Sequence, residues 1–457
     1  MKQILQDLRT GSTSILEAPA PSISKGTLIV KSAASLVSLG TERMLVEFGR
    51  ASYFQKARQQ PEKVKSVLEK AVTDGLAATA KAVQSKLAEP IPLGYCNVGV
   101  VTAVGSEVKG FEVGDRVVSN APHADIARIS KNLCAHIPDG VTDEEAVFAI
   151  LGSIGLQGIR LAQPSLGESF VVFGVGLIGL LTVQLLCAHG CRVLAIDFDD
   201  KKLALAKDFG ADAFNLNSGD SIVEAENKFS RGQGVDGVII AASTKSSDPV
   251  AQAARMCRKR GRIVLVGVTG LELNRADFYE KELSFHVSCS YGPGRYDPLY
   301  EEKGQDYPLG FVRWTARRNF EAVLDMMASG KLNVKPLISH RVAFEDAPSI
   351  YENLSENKES LGILLEYPLA DNRQMTRSVA LTENIQFDSR RPILGFVGAG
   401  NYASRILIPA FKSSGGQLHT IVTSSGTSGA IHGKKARFSE ATTDLSATLL
   451  NKEISAV

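Results

Sequence analysis

Three glycines, spaced Gly174-Val-Gly176-Leu177-Ile178-Gly179, follow the apolar run Phe170–Phe173 and open a second run, Leu177–Ala188. That spacing has a chemistry. Gly174 permits a tight turn, Gly176 lets a pyrophosphate approach the backbone, and Gly179 lets a strand and a helix pack closely. The unpaired N–H groups of the helix start then face the phosphates. Asp197 follows Gly179 at the end of the next strand, where a carboxylate accepts from ribose hydroxyls and repels a 2′-phosphate. The pattern points to NAD, with NADP left open, and assigns Gly174, Gly176, Leu177, Ile178, Gly179 and Asp197 to cofactor binding, with Gly267 at the end of a later strand. A second turn of the same kind, Gly398-Ala-Gly400-Asn-Tyr-Ala403, follows ILGFV. Its next strand ends Thr423-Ser424-Ser425, without an acid. Gly398 and Gly400 join the expected cofactor set.

Metal chemistry has less support. The cysteines Cys96, Cys134, Cys187, Cys191, Cys257 and Cys289 form no CxxC, and the seven histidines form no HxH or HExxH. Dispersed thiols of this kind read as reduced and cytoplasmic, not as a disulfide framework. Lys plus Arg 51 against Asp plus Glu 49 leaves +2, which gives no electrostatic case for nucleic acid or an anionic membrane. Met1–Pro19 has no apolar core of a signal peptide. Phe170–Ala188 is greasy enough to span a bilayer, but its spaced glycines, Thr182 and Gln184 suit a strand–turn–helix unit better.

These residues need elements to hold them. Thr27–Lys31 reads as a strand, followed by a small-residue stretch, Ser32–Thr41. Glu47–Leu87 is rich in Lys, Glu, Gln and Ala, with Val64, Val67, Leu68 and Val72 at helical spacing, and reads as two helices. Gly94–Val104 and Arg116–Val118 return to β-rich sequence, with turns at Gly110 and Gly114-Asp115. From Asp143 strands alternate with helices: Phe170–Phe173, Leu177–Ala188, Val193–Ile196, Lys201–Phe209, Val238–Ala241 and Ile263–Gly267. Such alternation implies a parallel sheet covered on both faces. After Leu283 come irregular β and loop sequence, a helix at Arg318–Ser329 and a strand at Gly362–Tyr367. Ala370–Arg390 is polar and reads as a linker.

With Lys31…Leu39-Gly40-Thr41-Glu42, Pro92-Leu-Gly94…Gly99-Val-Val…Val104-Gly105…Gly114-Asp115-Arg116-Val117 and the first glycine turn in that order, residues 1 to 370 resemble the medium-chain dehydrogenase/reductase family of zinc-type alcohol dehydrogenases. The resemblance implies an α/β fold: a GroES-like, β-rich catalytic domain over 1–142 with a helical insertion at 47–88, a Rossmann doubly wound domain over 143–289, and a return to the catalytic domain over 290–369. A linker at 370–390 leads to 391–457, which resembles the truncated start of a second Rossmann domain, of the glucose-fructose oxidoreductase/inositol dehydrogenase family. The family's zinc ligands are replaced here. Ser38-Leu39 precedes Gly40-Thr41-Glu42, Gly94-Tyr95-Cys96 stands for Gly-His-Glu, Leu151–Ser153 has no cysteine, and the four-cysteine lobe is missing. A catalytic zinc needs about three protein ligands. The expectation is therefore no zinc.

Some other group must then handle the alcohol proton. By the resemblance Tyr95 takes a ligand's place opposite the nicotinamide, as a proton donor assisted by Ser38 or Thr41, or as a ring that fills vacated volume. Glu42 and His123 are proton relays or structural residues. The insertion is a lid, a dimer contact or a solvated hairpin. Ser290–Tyr296, with Tyr307, Arg313 and Trp314, suits sugars and phosphates, or is a structural loop. The expected function is NAD-dependent, zinc-independent interconversion of a secondary alcohol and a carbonyl, on a sugar or nucleotide sugar of polysaccharide metabolism. An NADPH-dependent quinone or enone reductase and a non-catalytic cofactor-binding scaffold are the alternatives. The expected partner is a small molecule, neither nucleic acid nor membrane, and the resemblance implies a cytoplasmic homodimer.

Overall fold

Four sheets organise the described residues. The computed structural model describes residues 1–52, 55, 56, 58, 89–354, 360–368, 375–382 and 385–457. Most of the expected 47–88 insertion lies outside these residues. Its described start belongs to a helix, Leu39–Arg50 (α1), that begins before it.

The N-terminal strands are Lys2–Gln6 (β1), Thr13–Glu17 (β2), Thr27–Ser38 (β3), Ile91–Pro92 (β4), Asn97–Val104 (β5), Arg116–Ser119 (β6), Ile126–Ser130 (β7) and Cys134–His136 (β8). β3 is the spine of the larger of two sheets here. It pairs with β5 and β7, and with the late strand Gly362–Glu366 (β16). The expected strand stopped at Lys31, but β3 continues through Ser32-Ala-Ala-Ser35 to Ser38. Small side chains there sit buried between flanking strands, so tertiary pairing overrides a loop-like composition.

Next come Ser169–Phe173 (β9), Arg192–Asp197 (β10), Asp212–Asn215 (β11), Val235–Ile240 (β12), Cys257–Leu265 (β13) and Ser284–Val287 (β14), in one sheet of order β11-β10-β9-β12-β13-β14. Every pairing is parallel. The order reverses direction between β9 and β12, and open α/β sheets bind ligands at such a crevice. β9 is buried along its length because helices cover both faces. One of these is Ala149–Ala162 (α2), and another is Leu177–Ala188 (α3), which has the limits its apolar run predicts. The helical stretch 143–162 is long and apolar enough to cross a membrane, but 67% of its apolar window is buried inside the protein.

After Asp200–Asp208 (α4) and Ala316–Ala328 (α5), Ile338–Ala343 (β15) joins β16 beside β3. The polar stretch 370–390 is more than a linker. Ser378–Ala380 (β17) forms the edge of a last sheet, with Ile393–Val397 (β18), Gln417–Val422 (β19) and Glu440–Thr442 (β20), in order β17-β20-β19-β18. This sheet docks on the N-terminal strands. Ser22 and Arg128 donate to the Ser424 carbonyl at 3.0 and 3.2 Å, and Thr443 Oγ1 donates to Ala20 at 2.7 Å.

Candidate active site

The first glycine turn is built by three close approaches and one open space. Gly174 follows β9 with φ +88°, and a Cβ there would lie 2.7 Å from Ala242 Cα. A Cβ on Gly179 would lie 2.1 Å from the Gly174 carbonyl, and one on Gly267 would lie 2.1 Å from that of Ala242. Around Gly176, at the N-cap of α3, nothing lies within 4 Å of an added Cβ. Strand and helix are thus pressed together at Gly179, while Gly176 borders open space in front of unpaired N–H groups. These are the requirements of a pyrophosphate site, and the residues present fit a dinucleotide.

Asp197 ends β10 with its carboxylate on the turn. Oδ2 accepts from Val175 N at 2.8 Å, and Oδ1 from Phe198 N at 2.7 Å and Asp199 N at 3.1 Å. The acid therefore ties the turn to the neighbouring strand, a role its spacing did not reveal. Phe198 beside it is 62% exposed.

The second turn has the same outline with weaker fittings. Gly398 has φ +97°, and an added Cβ on Gly398 or Gly400 meets nothing within 4 Å. The end of β19, where the first turn has its acid, is packed on the N-terminal strands. A Cβ on Gly426 would lie 2.1 Å from the Pro19 carbonyl.

The hydroxyls come together as the spacing of motifs suggests. Ser38 ends β3, Thr41 lies in the first turn of α1, and Tyr95 precedes β5. Tyr95 OH donates to Ser38 Oγ at 2.8 Å and lies 3.2 Å from Thr41 Oγ1. Burial pushes the Tyr95 phenol well above its ordinary pKa, against the hydrogen bonds it shares with Ser38 and Thr41. The phenol therefore keeps its proton at neutral pH and acts as a donor.

Behind this cluster is a buried polar network. Glu42 Oε1 accepts from Ser38 N at 2.8 Å, and Oε2 lies 3.2 Å from His123 Nε2 and accepts from Tyr351 OH. His123 Nδ1 lies 2.7 Å from Ser35 Oγ, which is 2.9 Å from Tyr367 OH. Gly94, with φ +83°, packs against the imidazole so tightly that a Cβ would lie 2.4 Å from it. Glu42 and His123 thus meet, but Glu42 reaches Ser38 through its backbone N–H and not its hydroxyl. They hold the segments that carry Ser38 and Tyr95.

Two residues of the site were not singled out by sequence. Asn120 Nδ2 donates to the Tyr95 carbonyl at 2.9 Å, and Tyr351 completes the network around Glu42. Both are single polar residues far along the chain from their partners, with no local signal. Tyr291, in the singled-out loop, donates to Asn120 Oδ1 at 3.3 Å and to Glu301 Oε1 at 3.0 Å.

Known proteins share this architecture. Residues 71–167 match the alcohol dehydrogenase GroES-like domain, and 178–302 match the zinc-binding dehydrogenase family model. Sorbitol dehydrogenase 2 of Saccharomyces cerevisiae is 28% identical over 322 residues, covering 62% of this chain and 83% of its own. L-idonate 5-dehydrogenase of Vitis vinifera is 25% identical over 314 residues, covering 60% and 79%. Among solved structures, alcohol dehydrogenase TADH from Thermus sp. ATN1 superposes with TM-score 0.62 at 21% identity, over 80% of this chain and all of that one. Galactitol-1-phosphate dehydrogenase from Escherichia coli gives TM-score 0.61 at 22% identity, with the same coverage. The fold is a GroES-like domain joined to a Rossmann-type parallel sheet.

These matches overturn one expectation. The sequence reading was no zinc, yet the family model matched at 178–302 is a zinc-binding one. Among the described residues no group of three or more His, Cys, Asp or Glu side chains is gathered, which does not exclude zinc. Beside the Tyr95 hydroxyls, burial holds the Cys96 thiol well above its ordinary pKa. No step below is routed through a metal.

Proposed function

We propose that this chain is an NAD(P)-dependent oxidoreductase that interconverts a secondary alcohol and its carbonyl, with NAD preferred and a polyol or sugar derivative as substrate. The observation that carries this reading is the first glycine turn, where Gly176 borders open space at the start of a buried helix with Asp197 beside it. Sorbitol and idonate dehydrogenases among the similar proteins support the substrate class.

Bound nicotinamide supplies the hydride donor or acceptor. Gly174, Gly176 and Gly179, with the N–H groups of Leu177 and Ile178, would hold the pyrophosphate, and Gly267 would border the same crevice. Asp197 retains lone pairs for the adenosine ribose. Tyr95, its proton held by burial, donates a hydrogen bond to the substrate oxygen when that oxygen displaces Ser38 Oγ as acceptor. Until then Ser38 and Thr41 hold the phenol in place, and Asn120 fixes the backbone behind it.

Loss of one positioned proton donor typically costs about 10²-fold in turnover. Tyr95→Phe is accordingly expected to lower kcat by about that factor while NADH affinity stays within about twofold, measured by steady-state kinetics on a polyol panel and by NADH titration. Unchanged turnover removes Tyr95 from the chemistry. Asp197→Ser is expected to weaken NADH binding by about tenfold and to move the NADPH-to-NADH affinity ratio toward NADPH. Wild type binding NADPH more tightly than NADH would defeat the role given to Asp197.

A further inference from the structure

Trp314, the chain's one tryptophan, lies between two arginines. Arg160 Cζ is 3.4 Å from the indole centroid and Arg313 Cζ is 3.8 Å. Two guanidinium groups that close to one centroid cannot share a face without overlapping, so they cover opposite faces. Two like charges are therefore held with only the thickness of an indole between them.

The acids nearby in sequence are already used. Glu301 pairs with Arg295, Asp306 with Arg318, and Glu321 with Arg317. Among the described residues, Arg160 donates only from Nε, to Asn319 Oδ1 at 2.8 Å, and no hydrogen bond or ion pair engages Arg313. Burial first and Arg313 second pull the Arg160 guanidinium down to about 10. The site is also built. Asn319 is fully buried, and its Nδ2 donates to the Tyr291 carbonyl at 2.9 Å, which fixes Arg160 from below. Among the described residues neither guanidinium has a protein acceptor for its Nη hydrogens, and the two groups face each other across the indole.

Cation–π stacking offsets part of the repulsion but gives the Nη hydrogens no acceptor. A carboxylate has two oxygens, which a single fork saturates. A phosphate group has three non-ester oxygens and charge enough for two. We propose that Arg160 and Arg313, spaced by Trp314, form a binding site for a phosphate monoester or free phosphate. The site stands independently of the cofactor reading.

Trp314 is its own reporter. Titration of the full-length protein with inorganic phosphate, at ionic strength fixed with chloride, is expected to give a saturable change in tryptophan fluorescence. Glycerol 3-phosphate reproduces it if the natural ligand is an ester, and binds more weakly than inorganic phosphate if the site takes the free ion; either result supports the site. Arg313→Gln, at an exposed position, is expected to weaken the response by at least about tenfold with thermal unfolding and NADH titration unchanged. No saturable change, an equal change with chloride or acetate, or an undiminished response in Arg313→Gln would each overturn the proposal.

Discussion

Gly176→Ala is expected to raise the NADH Kd by about 10²-fold while leaving thermal unfolding where it is. Gly179→Ala is expected to lose both affinity and stability. The difference is one of space. A methyl at position 176 meets no protein atom within 4 Å and is expected to cost the fold nothing, but on the proposed cofactor reading it would fill the gap in front of the α3 N–H groups. At 179 the methyl is driven to 2.1 Å from the Gly174 carbonyl. Relieving that overlap means parting α3 from β9, and overpacking of this kind typically costs 1–3 kcal/mol. Fluorescence titration with NADH and unfolding by circular dichroism on the two variants test the pair together. Wild-type affinity in Gly176→Ala would sink the cofactor assignment, whatever the second variant does.

Glu42→Ala is expected to destabilise the protein by roughly 3–5 kcal/mol, since several buried polar groups lose a partner at about 1–3 kcal/mol each. The carboxyl is fully buried and serves three donors on separate segments: Ser38 N, the Tyr351 hydroxyl and His123. Truncation leaves all three without an acceptor in a place water does not reach. Glu42→Gln keeps one oxygen and is expected to lose about half as much. Because Ser38 N hangs from the same carboxyl, turnover falls with stability in the Ala variant and recovers in part in Gln. A shift of less than about 1 kcal/mol in Glu42→Ala would mean that the segments are held by packing alone.

The cofactor half of the fold was legible because its signals are local. Apolar runs, glycines at fixed offsets and an acid at the end of the next strand all lie within a few residues of what they specify. α2 was missed for the opposite reason. It is apolar on nearly every side, so no stripe marks it, and Gly152, Gly155 and Gly158 imitate turns. In the fold those glycines let the helix press on Val323, Thr182 and Val266, where a Cβ would lie 2.7, 2.5 and 2.5 Å away. β3 hid behind Ser and Ala, whose small size is what its two neighbouring strands require. At the site, Ser38, Thr41 and Tyr95 were named because motif order aligned them. Asn120 and Tyr351 carry no such mark, since only the tertiary pairing of β3, β5 and β16 brings their segments together. The zinc expectation rested on ligand positions alone, and the family match did not follow them.

The docking of the last sheet has a mechanical consequence. Its described tethers include bonds to Gln3, Ala20, Ser22, Glu89 and Arg128, all on the β-rich half. If the two halves hinge about the crevice during turnover, the C-terminal unit travels as a passenger with the hydroxyl cluster, and the six-stranded parallel sheet swings alone.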